Sequence, residues 1–204
     1  MGLDIQVVPN DRPKTLSLII DGEVVRLLHL SIFGKFTRFP PCESIEKWNE
    51  FFESIEYQYV KKYLLRLLSH QNYHSNRLRE LLSEKFVTQK NIDRVLSEFQ
   101  ERGFTNDQAW IDAFIRPRIK REPIKTILMK LRMRGIADDE IREAGERWKE
   151  ECNEAESVSR LLKKRFAHKN LDDYKIRQGV IAALIRKGYS YHTIKTALDH
   201  ETEE

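Results

Sequence analysis

Apolar residues recur at every second position in the first stretch of the chain and at every third and fourth position after residue 57. In "TLSLII", Leu16, Leu18 and Ile20 share one face, and "EVVRLLHL" follows across Asp21-Gly22. Asp-Gly supplies the positive φ angles of a type I′ turn, so these runs predict a β-hairpin. Two strands alone are marginal in water, and "DIQVV", across the Pro9–Pro13 turn, predicts a third. Pro40-Pro41 break the pattern. Ser44 is placed to cap a helix carrying Ile45, Trp48, Phe52 and Ile55.

From Tyr57 onward only the helical period is present. Val60, Leu64, Leu67 and Leu68 form one stripe, Leu78, Leu81 and Leu82 a second, and Ile92, Val95, Leu96 and Phe99 a third. Trp110, Ala113 and Phe114 continue the pattern, followed by Ile124, Ile127, Leu128 and Leu131, then Ile141 and Ala144. Val158, Leu161, Leu162 and Phe166 begin the last set, which Val180, Ile181 and Leu184, then Ile194, Ala197 and Leu198 complete. Nine helices in three sets of three are expected, with each stripe packed into a core.

One piece of punctuation is written four times: "EKFVTQKNIDRV", "RGFTNDQAW", "RGIADDEIREA" and "KGYSYHTIKTA". A glycine at the end of a helix adopts the left-handed conformation without a Cβ penalty, and the apolar residue after it folds back on the last turn. Ser, Thr or Asp then caps the next helix. Asp138 and Ser190 are the expected caps, and Thr105 with Gln108 spells a capping box. In the first copy Lys85 stands for the glycine, and that turn reads as one residue longer. Lys85 to Gly135 is 50 residues and Gly135 to Gly188 is 53, so the chain repeats a three-helix unit.

The expected fold is mainly α: three tandem three-helix modules in an elongated, curved array, preceded by a small N-terminal β-sheet region. The boundaries are 1–43 for the β-rich region, 44–104 for a linking helix and the first module, 105–153 for the second module, and 154–204 for the third module with an acidic tail. Gly145, inside a presumed helix, marks the third helix of module two as soft.

The chain resembles the RecX regulators of the bacterial recombinase RecA over roughly Tyr57 to Asp199. The blocks that carry the likeness are "LLSHQNYHSNRLRELLSEKF" with "IDRVLSEFQERGFTND", then "AWIDAFIRPRIKREPIKTILMKLRMRGIADDEI", then "IRQGVIAALIRKGYSYHTIKTAL". Lys85 for glycine and Gly145 depart from the pattern. The resemblance implies a non-catalytic protein without cofactor that lies in the helical groove of the RecA filament on single-stranded DNA. There it spans protomers and suppresses ATP hydrolysis and strand exchange. The alternative is a stand-alone helical DNA-binding protein, since a three-helix unit can present a helix to a groove.

Charge sharpens this picture. Charged residues are 33% of the chain, yet the formal net charge is only +4, so any polyanion site depends on clustering. Arg116, Arg118, Lys120, Arg121, Lys125, Lys130, Arg132 and Arg134 form a basic segment whose one acid is Glu122. An acidic run from Asp138 to Glu156 follows. These are either paired within the module, or they turn a basic face to phosphate and an acidic face away. Lys163, Lys164, Arg165 and Lys169, with Arg177, Arg186 and Lys187, form a second cluster. Of the nearby aromatics, Trp110, Phe114, Tyr174 and Tyr189 are expected in the core, while Tyr191 is the candidate for contact with a partner.

Other chemistry finds little footing. His70 and His74 are four apart but lack the Glu of H-E-x-x-H. There is no Gly-rich phosphate loop and no nucleophile elbow. The two cysteines, Cys42 and Cys152, sit in unrelated segments. The N-terminus lacks the pattern of a secretory signal, Gln6 spoils a myristoylation motif, and no run is long enough to span a membrane. A cytoplasmic, monomeric protein is expected.

Overall fold

The computed structural model describes residues 2–35 and 37–201, and the expected acidic tail past Glu201 lies outside them. Three antiparallel strands open the chain: β1 (Ile5–Pro9), β2 (Thr15–Ile20) and β3 (Glu23–His29), in the order β1-β2-β3. Asp21 and Gly22 have φ of 49° and 87°, as the hairpin turn requires. The β2–β3 register shifts between Leu18 and Ile19. Such a bulge re-aims the strand, and Leu16, Leu18, Ile20 and Leu28 are all buried.

Ten α-helices follow among the described residues: α1 (Leu30–Phe33), α2 (Ile45–Leu68), α3 (Ser75–Ser83), α4 (Gln89–Glu101), α5 (Asp107–Ile115), α6 (Ile124–Arg132), α7 (Asp138–Lys149), α8 (Glu154–Leu161), α9 (Tyr174–Arg186) and α10 (Tyr191–Glu201). A π-helical turn, Leu162–Phe166, extends α8. Apart from the single turn α1, these are nine helices in three sets: α2–α4, α5–α7 and α8–α10. Their cores are built alike. Val60 and Leu64, Leu78 and Leu82, and Ile92, Val95 and Phe99 fill the first. Ile111 and Ile115, Ile127 and Leu131, and Ile141, Ala144 and Trp148 fill the second. Val158 and Leu162, Val180 and Leu184, and Ile194 and Ala197 fill the third.

The chain forms two compact units, Met1–Asp107 and Gln108–Glu204. In the first, the expected linking helix and the first helix of module one are a single helix of 24 residues. No breaker lies between Ile55 and Tyr57, and the buried series Trp48, Phe52, Glu56, Tyr57, Val60, Leu64 runs straight through. Ser44 caps this helix by accepting from the Lys47 amide. Its N-terminal half packs rings against α1 and the following loop, with Phe33–Phe52 centroids 5.9 Å apart and Phe39–Trp48 5.2 Å apart. Its C-terminal half packs on α4. Residues 1–43 therefore share one core with the first module. The second unit holds two cores, and we propose 105–153 and 154–204 as the bounds of its two modules. No helix among the described residues is long and apolar enough to cross a membrane.

The repeated punctuation is a Schellman turn at all four joints. The amides of Val87, Phe104, Ile136 and Tyr189 reach back five residues to the carbonyls of Leu82, Phe99, Leu131 and Leu184 at 2.8–3.3 Å. The left-handed residue before each is Phe86, Gly103, Gly135 or Gly188 (φ 63°, 72°, 75° and 96°). Lys85 is thus not the glycine substitute. Phe86 is, and Glu84-Lys85-Phe86 matches Met133-Arg134-Gly135 with no extra residue. The true spacing is 49 and then 53 residues.

Two expected caps are replaced. α7 is capped at Ala137, whose amide donates to the Glu140 carboxylate, while Asp138 is already helical. The Thr105 hydroxyl is buried without a hydrogen-bond partner among the described residues, and α5 begins at Asp107. Gly145 has a packing reason: a Cβ there would lie 3.0 Å from Leu128 Cδ1, so its absence lets α7 approach α6.

Gly188 carries two constraints where Gly103 carries one. A Cβ at Gly188 would sit 2.3 Å from Thr126 Oγ1, whereas one at Gly103 would meet nothing within 4 Å. Gly103→Ala should cost about 1–2 kcal/mol, the penalty of a left-handed L-residue, and Gly188→Ala distinctly more. Urea unfolding followed by tryptophan fluorescence checks the order; equal losses would show that Thr126 yields freely.

Candidate interaction surface

The basic segment begins on the connector between α5 and α6. Ile119 is buried and anchors this connector, and Pro123, at the N-cap of α6, ends it. Arg118 turns back on α5, donating to the Phe114 carbonyl at 2.7 Å with its guanidinium 3.8 Å from the Phe114 ring centre. Arg134 lies 4.7 Å from the centre of the same ring and donates to the Lys130 carbonyl at 3.1 Å. These two arginines cover Phe114 and are not simply solvated surface. Arg116 stands 6.0 Å from the Trp148 ring, Lys130 pairs with Glu122 at 2.5 Å, and Arg132 pairs with Asp138 at 2.8 Å.

The remaining members meet residues of the third module. The Tyr189 hydroxyl donates to the Arg121 carbonyl at 3.2 Å, Arg160 donates to the Lys120 carbonyl at 3.3 Å, and the Thr126 hydroxyl donates to the Lys187 carbonyl at 3.3 Å. In each case the lysine or arginine gives its main-chain oxygen to the junction, and its side chain is left exposed. The α5–α6 connector and the α9–α10 turn are thereby held together, with Lys120, Arg121 and Lys187 on one surface. Lys125 and Arg186 adjoin them in sequence and are also exposed. None of these five forms an ion pair among the described residues.

The sequence grouped Lys120 and Arg121 with one cluster and Lys187 with another; the fold merges them. Nothing among the described contacts ties Lys164, Arg165 or Lys169 to this junction. Lys163, Lys164 and Arg165 lie on the π-helical turn, Lys169 lies over the Phe166 ring at 5.4 Å, and Arg177 pairs with Asp199 at 2.8 Å. Tyr191 is 58% exposed at the start of α10, two residues past the junction. Tyr174, expected in the core, is 74% exposed because it opens α9 as its first residue. Trp110 stacks on Phe114 at 5.8 Å, and Tyr189 is buried.

Sequence reasoning missed three contributors here. Arg160 stood in no cluster picked out from the sequence. Met129 and Met133, four apart on the outer side of α6, are 56% and 79% exposed beside Lys125 and Arg132; neither was singled out from the sequence. The pattern itself held the signal, because both fall off the Ile127–Leu131 stripe. His70 and His74 do not share a helical face: α2 ends at Leu68, and His74 caps α3 by accepting from the Asn76 amide.

Comparison with known proteins agrees with this architecture. Residues 153–198, the α8–α10 set, match the family model described as "RecX, third three-helix domain". "Regulatory protein RecX" of Neisseria meningitidis serogroup C (strain FAM18) is 25% identical over 138 residues, covering 68% of this chain and 88% of its own. Its namesake in Bacillus subtilis (strain 168) is 29% identical over 153 residues, covering 71% of this chain and 58% of its own. The chain is similar to RecX proteins over about two thirds of its length. A crystal structure of regulatory protein RecX shares the fold over 97% of this chain and 99% of its own, with a TM-score of 0.63 and 20% identity. RecX from Lactobacillus salivarius does so over 71% and 95%, with a TM-score of 0.61 and 19% identity. The matched relatives are named as regulatory proteins.

Tyr189 makes the junction of the second unit sensitive to high pH. Burial, with smaller contributions from Glu154, Cys152 and Glu122, pushes its phenol up to about 12. The unfolded chain would ionise at about 10, so the folded state binds the proton more tightly. Stability from this group is intact below pH 10 and is lost as pH rises through 12. Tyr189→Phe should weaken stability by about 1 kcal/mol at neutral pH, through the unpaired Arg121 carbonyl. It should also flatten the alkaline fall in urea-unfolding midpoints between pH 9.5 and 11.5. A fall as steep as that of the unaltered protein would mean other tyrosines dominate it.

Proposed function

We propose that this chain is a non-catalytic cytoplasmic regulator that binds, as a monomer, the RecA recombinase filament on single-stranded DNA. It occupies the helical groove and lowers ATP hydrolysis and strand exchange. Similarity to relatives named as regulatory proteins, and the match of residues 153–198 to a RecX three-helix domain, support the regulatory role. The observation that carries the surface assignment is the junction in the second unit, where Lys120, Arg121 and Lys187 anchor through carbonyls and leave their cationic ends without an ion pair among the described residues. An ordered, un-neutralised basic surface suits a filament that presents phosphate and acidic protein groups together. The exposed Met129 and Met133 add an adaptable apolar rim.

The test is ATP hydrolysis by RecA on single-stranded DNA, titrated with this protein from far below equal stoichiometry. Inhibition is expected well below one copy per recombinase protomer. Arg121→Glu/Lys187→Glu, which alters side chains outside the junction's hydrogen bonds, should raise the half-inhibitory concentration about tenfold or more. Its helicity and melting temperature should stay near those of the unaltered protein. No inhibition at equal stoichiometry by the folded protein would end the recombinase reading. Undiminished inhibition by the double variant would move the contact surface elsewhere.

Stability separates the two kinds of arginine in the basic segment. Arg134→Ala uncovers Phe114 and should cost about 0.5–1 kcal/mol. Arg132→Ala removes only an exposed ion pair with Asp138 and should cost under about 0.5 kcal/mol. Thermal melts of the two single variants decide this, and a larger loss for Arg132→Ala would reverse the assignment.

A further inference from the structure

A second basic surface lies in the first unit, on residues that the function above does not use. From Tyr57 to Arg79 the chain holds five Lys or Arg residues, four tyrosines and no acid. On α2, Tyr59, Lys62, Tyr63 and Arg66 fall at i, i+3, i+4 and i+7, which places them on one helical face. Lys62 stands 6.0 Å from the Tyr59 ring centre, and Arg66 stands 5.9 Å from that of Tyr63. Lys85, from the α3–α4 turn, reaches the same Tyr63 ring at 5.9 Å. Arg66 also donates to the Ser31 carbonyl at 3.2 Å, tying this face to α1.

Lys14 joins from the β1–β2 turn, where its carbonyl accepts from the Leu30 amide at 2.8 Å. The combined field is felt at His29, whose imidazole is held below its usual value by burial first, then by Lys85 and Lys14. Four cations from three separate segments thus gather here, three of them over half-buried tyrosine rings and Lys14 beside His29 and Leu30. None of the four is in an ion pair among the described residues. Glu84, the nearest acid in sequence to Lys85, is drawn toward Arg77 at 3.4 Å.

A solvated structural face would be expected to intersperse carboxylates among such cations, as the Lys47–Glu43 and Lys90–Glu53 pairs do elsewhere in this unit. We infer that Lys14, Lys62, Arg66 and Lys85, with Tyr59 and Tyr63, form a binding site for the phosphate backbone of single-stranded nucleic acid. Phosphates would be neutralised by the cations, and the tyrosine edges would offer sequence-tolerant contact to bases. The site requires no recombinase, so it stands or falls apart from the regulatory reading.

The experiment is fluorescence anisotropy of a labelled oligothymidine with the full-length protein alone, over a series of salt concentrations. Lys62→Glu/Lys85→Glu should weaken binding about tenfold or more. It should also reduce the slope of log K against log salt by about 1.4, two phosphate contacts at about 0.7 each. Lys62→Arg/Lys85→Arg should retain both affinity and slope. Lys47→Glu, at the other end of α2, should leave both unchanged. If the double reversal loses helicity by circular dichroism, Lys62→Ala alone should lower the slope by about 0.7. An unchanged affinity and slope in the folded reversal variant overturns the site. So does equal or tighter binding to duplex DNA or to phosphatidylserine vesicles, which would mark a patch for polyanions in general.

Discussion

The left-handed residue that ends the second helix of each module is the constraint on which this architecture turns. A helix ending in a Schellman turn satisfies its last carbonyls and sends the chain back at a defined angle. The next apolar residue then lands in the core: Val87, Ile136 and Tyr189 are 7%, 5% and 3% exposed. The angle between the second and third helices is therefore set by one backbone conformation, and each three-helix core forms around it. At Gly188 the same turn also brings the backbone against Thr126, so one residue closes a module and docks it on its neighbour. Phe86 performs the turn without glycine's freedom. Its half-buried ring and the burial of Val87 beside it compensate for the strained φ.

Backbone and side chain divide the work at the junction of the second unit. A main-chain carbonyl accepts a hydrogen bond equally well whatever side chain its residue carries. Using Lys120, Arg121 and Lys187 through their carbonyls thus fixes the surface while leaving its charge free. Had the same residues been tied down by carboxylates, each exposed pair would have added little stability and cancelled the cation's charge. The surface would then have little field to offer a partner. The acidic run on α7 follows a related rule. Asp138 takes Arg132 at the turn, while Asp139, Glu143 and Glu146 stay exposed.

Much of this fold was legible from periodicity and turn chemistry, because both are local. The hairpin at Asp21-Gly22, the Ser44 and Ser190 caps and the nine helical stripes depend on residues within a few positions of one another. What local reasoning missed has a physical pattern. Lys85 was read as the left-handed residue because sequence shows which residue lacks a Cβ, and Phe86 is left-handed without lacking one. The linking helix was cut at Tyr57 because the sheet core and the module core looked separate. Glu56, the buried polar residue at the seam, is satisfied by Thr88 and Asn91 from α4 and its cap, more than thirty residues away. The candidate surface was half legible: its cations could be listed, but the contacts of Tyr189, Thr126 and Arg160 that gather them span 40 to 68 residues.

Lys120, Arg121 and Lys187 are placed through their main-chain carbonyls, and other cations of the chain are placed on aromatic rings. Arg118 and Arg134 rest on Phe114, Lys62 on Tyr59, and Arg66 and Lys85 on Tyr63. An aromatic face attracts a cation by about 0.5–1 kcal/mol at exposed sites, comparable to a surface ion pair, but it contributes no countercharge. Orientation is gained and the positive field is kept. Net charge alone would never have pointed here, since +4 spread over 204 residues is unremarkable. The field comes from the choice of partner for each cation: a carboxylate cancels its charge, as at Lys47 and Lys90, whereas a ring or a main-chain carbonyl positions the residue and leaves the charge in place.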